Sequence, residues 1–324
     1  MVGIVHFNIV AKVGGHPHAI CTVTLILGRR RYYPVGVTPM CNMSCMFCHE
    51  EGGDRSALLN TSQTTELAEF AREHGFTKFH LTGGEPTLHP ELPSLVRVIS
   101  GAGFPCNLTT NGQFRSTLLW RLGDARVGSM NFSIHTVDPV AWSKLQHRGS
   151  LRVAEMQIAR ASANIQEAVL LGIKTKVNIV VGDDPTLAIG VVEHFRNSGV
   201  DFRLLNVLGS ERSLASIDQA LKHYSAKVVA ETQILGSSQF RTSYSSSVGD
   251  LIVKQIRDYR EPSVCADCKT KCDEGFYGVR IVPMQGRLYV RLCLHHTSES
   301  TLLPLTAFRR SPQLAAIKKQ SGLI

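Results

Sequence analysis

The sequence predicts an α/β fold: six parallel strands in an open barrel around a polar ligand. Two observations carry that expectation. Strand-like and helix-like stretches alternate in series from residue 32 onward, and each strand is polar on one face. The strand candidates are 32–38, 77–82, 105–110, 128–135, 174–181 and 201–207. Between them, Leu67, Phe70, Ala71 and His74 recur at helical spacing and end at Gly75. Leu95, Val98 and Ile99 do the same before Gly101; a long helix over 151–171 stops at Gly172, and another over 187–197 follows Pro185. Serial βα units give a parallel sheet with right-handed crossovers.

The face pattern chooses between sheet types. His80 and Thr82 oppose Phe79 and Leu81; Thr109 and Asn111 oppose Leu108; Asn131, Ser133 and His135 oppose Met130, Phe132 and Ile134. Lys174, Lys176 and Asn178 oppose Thr175, Val177 and Ile179, and Arg203 stands between Phe202 and Leu204. A parallel sheet buried on both faces reads as continuous apolar runs. A closed barrel fills its interior with branched apolar side chains. A polar inner face in strand after strand fits a barrel that opens onto a ligand.

Upstream, residues 4–10 and 20–27 alternate as two strands around a Gly-Gly turn that carries His16 and His18. Downstream, the polar run 243–247 reads as a loop before a helix over 248–259. After Pro262 the character changes to a cysteine-rich segment with two short strands around Gln285-Gly286. The expected organisation is a β extension over 1–31, the barrel over 32–240 and a small cysteine-rich domain over 241–324.

Composition narrows the class. The chain has 324 residues, 43% of them hydrophobic, which supports an ordinary core. No apolar run reaches membrane-spanning length, and the N-terminus lacks a secretory pattern. Nine cysteines, clustered rather than spread, argue for metal in a reducing, cytoplasmic setting rather than for disulfides. A net charge of +9 favours an anionic partner. No basic-aromatic motif supports a nucleic-acid surface.

The chemistry centres on Cys41, Cys45 and Cys48, spaced C-x3-C-x2-C with Phe47 before the third. Three thiolates so close hold three corners of a [4Fe–4S] cube and leave the fourth iron open to a non-protein ligand. A structural zinc site wants four ligands, and the next cysteine, Cys106, is far away. With Gly83-Gly84-Glu85-Pro86 after the second strand, this stretch resembles the radical S-adenosylmethionine (SAM) superfamily. The resemblance implies a splayed (β/α)6 partial barrel, a SAM-binding [4Fe–4S] cluster and reductive cleavage of SAM. The 5′-deoxyadenosyl radical would then take a hydrogen atom from substrate. It further implies Phe47 beside the SAM adenine, Gly83 and Gly84 letting backbone approach the ligand, and Glu85 receiving the SAM amino group. Ser133 and Asn178 match strand contacts to SAM, and Thr109 and Asn111 face the same cavity.

Cys265, Cys268, Cys272 and Cys293 form a second set. On residue chemistry alone, structural zinc and an iron–sulfur cluster suit them equally. The resemblance extends to a twitch-type C-terminal region and favours an auxiliary [4Fe–4S] cluster. Cys48-x3-Gly52, the Thr-Thr-Asn-Gly strand end, Lys-Val-Asn-Ile-Val-Val and Arg280 are similar to the molybdenum-cofactor GTP cyclase type. The spacing of the second cysteine set and the ending Ser321-Gly322-Leu323-Ile324 depart from it. The expected substrate is therefore a small anionic nucleotide, nucleoside or sugar, touched by His135, Lys174, Lys176, Arg203 and Arg280. An electron donor such as flavodoxin or ferredoxin would supply the electron. A peptide-modifying radical SAM enzyme and a non-enzymatic iron–sulfur or zinc protein are the alternatives.

Overall fold

A computed structural model describes residues 5–8, 22–25, 32–46, 58–147, 149–233, 237–270 and 272–320. Its strands are β1 (Val5–Asn8), β2 (Thr22–Leu25), β3 (Tyr32–Thr38), β4 (Lys78–Gly83), β5 (Cys106–Thr110), β6 (Ser129–Ser133) and β7 (Thr175–Val181). They continue as β8 (Asp201–Asn206), β9 (Lys227–Gln233), β10 (Gln239–Ser246), β11 (Gly249–Ile256), β12 (Arg280–Met284), β13 (Arg287–Arg291) and β14 (Leu302–Pro304).

Strands β3 to β8 lie side by side in chain order, every neighbouring pair parallel. A doubly wound sheet reverses its strand order partway; this run never reverses, so it is singly wound like a barrel. The outward side chains of these strands, Phe79, Leu81, Leu108, Met130, Phe132, Val177 and Phe202 among them, are buried. They share one core with Leu67 and Phe70 of the helix Thr61–Glu73 and with Ile165 and Ala168 of the helix Leu151–Leu170. Local sequence starts these helices: Asn60 and Gln63 form a capping box before the first, and Ser150 caps the second. Asp184 caps Pro185–Phe195 with proline at the first position.

The barrel run is extended at both ends. β11 pairs parallel with β8, and β12 pairs parallel with β3. β11 corrects a sequence expectation: 248–259 forms no helix. Leu251 and Val253 are buried while Ile252 and Lys254, alternating with them, are partly exposed, a period of two residues. The polar run 243–247, expected as a loop, is largely strand β10, antiparallel to β11 through a turn at Ser246–Gly249. Serines and threonines on a wet strand face hide its period from a reading based on apolar residues. β1 and β2 pair with each other and join the sheet at β9. The expected hairpin around Gln285-Gly286 is present as β12 and β13. No helix among the described residues is long and apolar enough to cross a membrane.

Candidate active site

The loop bearing Cys41 and Cys45 leaves the C-terminal end of β3, where parallel barrels place their chemistry. It is fastened on two sides. Gly84 N donates to Thr38 O at 2.8 Å and Glu85 N to Met40 O at 2.7 Å. Met46 N donates to Leu145 O at 2.9 Å and His147 N to Ser44 O at 3.0 Å. Cys41 is exposed and Cys45 partly buried. Phe47, Cys48 and Gly52 lie outside the described residues, as do His16 and His18.

The glycines at the end of β4 pack tightly in the structure. They bring backbone against backbone. A methyl group on Gly84 would overlap Met40 O and reach 2.6 Å from Pro39 O; one on Gly83 would overlap Thr38 O. Gly83 also has φ = 137°, which a side chain disfavours. Absence of a side chain here sets the height of the cysteine loop.

Glu85 is held in place by its neighbours. Its carboxylate is buried and already accepts four hydrogen bonds. Oε1 takes Thr87 N at 3.0 Å, Thr87 Oγ1 at 2.6 Å and Thr110 Oγ1 at 2.7 Å; Oε2 takes Asn111 N at 2.7 Å. Burial raises its pKa, and these donors work against the rise. Asn111 bonds Asn42 Oδ1 at 2.8 Å and reaches Cys41 Sγ at 3.9 Å, so it braces the cysteine loop.

The inward strand face forms a polar lumen. His80 Nε2 meets Thr109 Oγ1 at 2.6 Å, and Asn131 Nδ2 approaches the same oxygen at 3.5 Å. Asn178 Oδ1 accepts from Arg203 at 3.3 Å, Lys176 pairs with Asp201, and Ser133 is partly exposed. Lys174 stands exposed just before β7. His135 is tied to the sheet: its Nδ1 accepts from Val180 N at 3.0 Å, and burial lowers its pKa to about 4. His80 keeps some surface open to the lumen while protein encloses it. That enclosure, then Arg203, Lys254 and Lys78, lower its pKa to about 3.

A neutral His80 in the fold has a pH consequence. The unfolded chain takes up a proton near pH 6.5 that the folded chain resists down to about 3. Stability from this residue is complete above pH 6.5 and falls as pH drops toward 3. One proton over 1.5 pH units is worth roughly 2 kcal/mol. Melting temperatures between pH 7 and pH 5 should therefore fall less for His80→Asn than for the wild type.

The second cysteine set converges as its spacing suggested. Cys265, Cys268, Cys272 and Cys293 line one cavity, with His295 and His296 at its edge. Burial first, then the other three thiols, raise the Cys265 pKa. Four thiolates cannot share so small a space without positive charge, so this donor set fits an iron–sulfur group or a metal ion. Arg280 is buried against Glu274, whose other oxygen lies 3.8 Å from His295. Sequence reasoning put His80 on the polar inner face without a role, and did not single out Lys254, Glu274 or Tyr277. Glu274 sits inside the cysteine segment, and only the pairing of β12 with β3 carries Arg280 and Glu274 to the barrel.

Paired cysteines above a polar, parallel barrel, with a second cavity lined by four cysteines, have the donor set of a metal- or iron–sulfur-binding protein. The family model of the radical SAM superfamily matches residues 35–189. A probable GTP 3′,8-cyclase of Metallosphaera sedula is 32% identical over 245 residues, 72% of this chain and 74% of that protein. Another from Sulfurisphaera tokodaii is 29% identical over 249 residues, 72% of this chain and 75% of its own. Streptococcus suis SuiB, solved with its precursor peptide SuiA, superposes with a TM-score of 0.51 at 16% identity over 64% of this chain. The chain spans about half of SuiB, covering 49% of it, and that likeness shows the fold. The chain belongs to the radical SAM superfamily. It is an enzyme of that superfamily, whose cofactors are a [4Fe–4S] cluster and SAM.

Proposed function

We propose that this enzyme acts on a nucleotide or nucleoside held in the barrel lumen, related to but distinct from GTP cyclisation. The observation that carries the reading is the inner face, where Arg203 and Lys254 stand beside neutral polar groups and the ion pairs Lys176–Asp201 and Arg280–Glu274. A cation in a low-dielectric cavity needs a counter-charge. The curated relatives' action on GTP supports a nucleotide as that counter-charge.

Cys41, Cys45 and Cys48 would hold the SAM cluster, and Phe47 would lie against adenine. When bound, the cluster and SAM supply one-electron cleavage of the sulfonium and abstraction of a substrate hydrogen atom. The chain's own contribution is position. Gly83 and Gly84 fix the cysteine loop; Glu85 and Asn111 brace it, and the SAM amino group would share the Glu85 carboxylate with its present donors. Thr109, Ser133 and Asn178 line the path from that loop into the lumen. Cys265, Cys268, Cys272 and Cys293 would hold the auxiliary cluster. The barrel over 32–240 and the segment over 241–324 would act as catalytic and auxiliary units. A flavodoxin or ferredoxin would supply the electron, in a reducing cytoplasm suited to exposed thiols.

Two measurements test this. Anaerobically reconstituted protein should carry about eight iron atoms per chain, and Cys268→Ala about four, since each cluster holds four; zinc in place of the second four would exclude the auxiliary cluster. Addition of GTP or another nucleoside triphosphate should raise 5′-deoxyadenosine release above the substrate-free level. No response to any nucleotide or nucleoside would refute the substrate assignment.

A further inference from the structure

The cysteine loop meets a side-chain amide whose orientation the backbone dictates. Asn111 stands in the turn just past β5. Its Oδ1 accepts from Gln113 N at 2.9 Å. A backbone N–H can only donate, so the oxygen of this amide is assigned and Nδ2 points the other way. Nδ2 faces the cysteine loop, 2.8 Å from Asn42 Oδ1 and 3.9 Å from Cys41 Sγ. Asn42 is assigned by the same logic. Its Nδ2 donates to Gln113 O at 2.8 Å, a group that can only accept, which leaves Oδ1 for Asn111. The two hydrogens of the Asn111 amide therefore meet one oxygen and one sulfur.

The turn that carries this amide is fixed independently of the cysteine loop. Asn111 N donates to the buried Glu85 carboxylate at 2.7 Å. Gln113 Nε2 donates to Gln157 O at 2.8 Å, and buried Asn164 donates from Nδ2 to Gly112 O at 2.9 Å and Phe114 O at 3.0 Å. Gln157 and Asn164 both belong to the helix Leu151–Leu170. The donor is thus in place before the sulfur reaches it. Met43 N, 3.5 Å from the same sulfur, is a donor that the loop supplies from its own backbone. Asn111 adds one from the barrel. Bracing the loop needs only the bond to Asn42; the approach to Cys41 Sγ is additional. Hydrogen bonds to the sulfurs help to set the potential of an iron–sulfur cluster. A donor stabilises the more negative, reduced state and so raises that potential.

We infer that Asn111 is a positioning residue that raises the reduction potential of the SAM cluster by donating Nδ2–H to the Cys41 thiolate. The inference rests on Cys41 holding that cluster.

The test is a redox titration of the anaerobically reconstituted protein, read by electron paramagnetic resonance on the signal that responds to SAM. Asn111→Ala removes the donor. Its equilibrium constant for one-electron reduction should fall roughly tenfold, about 59 mV for a one-electron couple. Asn111→Asp keeps the oxygen that accepts from Gln113 N and puts a carboxylate oxygen where the donor stood, so its potential should lie lower still. Asn42→Ala cuts the bridge between the loops but leaves the Asn111 amide held by Gln113, and its potential should stay at the wild-type value. Release of 5′-deoxyadenosine by Asn111→Ala should fall with dithionite and recover with the stronger reductant titanium(III) citrate, a rescue that a folding defect would not show. Wild-type potentials in both Asn111 variants would overturn the inference. An equal shift in Asn42→Ala would do so too, because Asn111 would then be a brace alone, as would failure of both Asn111 variants to bind iron. A SAM-responsive signal that survives in Cys41→Ala would remove Cys41 from the cluster, and the inference with it.

Discussion

Cys45→Ala is expected to abolish 5′-deoxyadenosine formation while leaving the chain folded. Removing an outer partner of a metal site already costs roughly 10- to 100-fold, so removing a ligand should cost more than about 100-fold. The fold should survive because the loop is held by backbone, not by the thiol. Met46 N on Leu145 O and His147 N on Ser44 O do not involve the Cys45 side chain. Assay of reduced, reconstituted variant for 5′-deoxyadenosine, beside its far-ultraviolet circular dichroism, checks both halves. Iron content should fall by about four atoms per chain, the content of one cluster. A variant that keeps full iron and full SAM cleavage would remove Cys45 from the site.

Gly84→Ala is expected to cost both stability and activity. Its methyl group would overlap Met40 O and stand 2.6 Å from Met40 C and Pro39 O. These are backbone atoms of the segment leading into Cys41, so relief means moving the cysteine loop itself. Overpacking of this kind typically costs about 1–3 kcal/mol. That lowers the melting temperature by several degrees, at about 2–4 °C per kcal/mol for a chain of this class. SAM cleavage should fall further than stability, because small displacements at a reacting centre cost roughly 100-fold. Gly101→Ala is the matched control: nothing lies within 4 Å of its added methyl, and at the end of a helix it should melt at or slightly above wild type. Equal behaviour of the two variants would show that the close approach at Gly84 carries no weight.

The barrel was legible in the sequence because strand and helix periods alternate cleanly from Tyr32 to Asn206. Its six strands have apolar outward positions whose burial the helices complete, as with Phe79, Leu81 and Val177. The polar inward positions marked the lumen in advance. Legibility ended where local pattern and tertiary pairing part. β10 carries serines and threonines, and β11 pairs in parallel with β8 after a long detour; neither fact leaves an apolar signal. That error concealed Lys254, since its inward direction follows from strand geometry alone. The Gly-Gly-Glu turn was visible as a motif, but its contacts within the chain were not. Only the structure shows that Gly83 and Gly84 press on the backbone of Thr38 and Met40, and that Glu85 spends its carboxylate on Thr87, Thr110 and Asn111. The four C-terminal cysteines named a metal-type site, and Arg280 was marked from the sequence, but Glu274 was not. Glu274 and Arg280 reach the lumen only because β12 adds to β3.

The most direct measurement is electron paramagnetic resonance of the dithionite-reduced, anaerobically reconstituted enzyme with and without SAM, followed by product analysis of the same sample. The account predicts a cluster signal altered by SAM and equal amounts of methionine and 5′-deoxyadenosine. A fully iron-loaded protein whose signal ignores SAM and which releases neither product would contradict it.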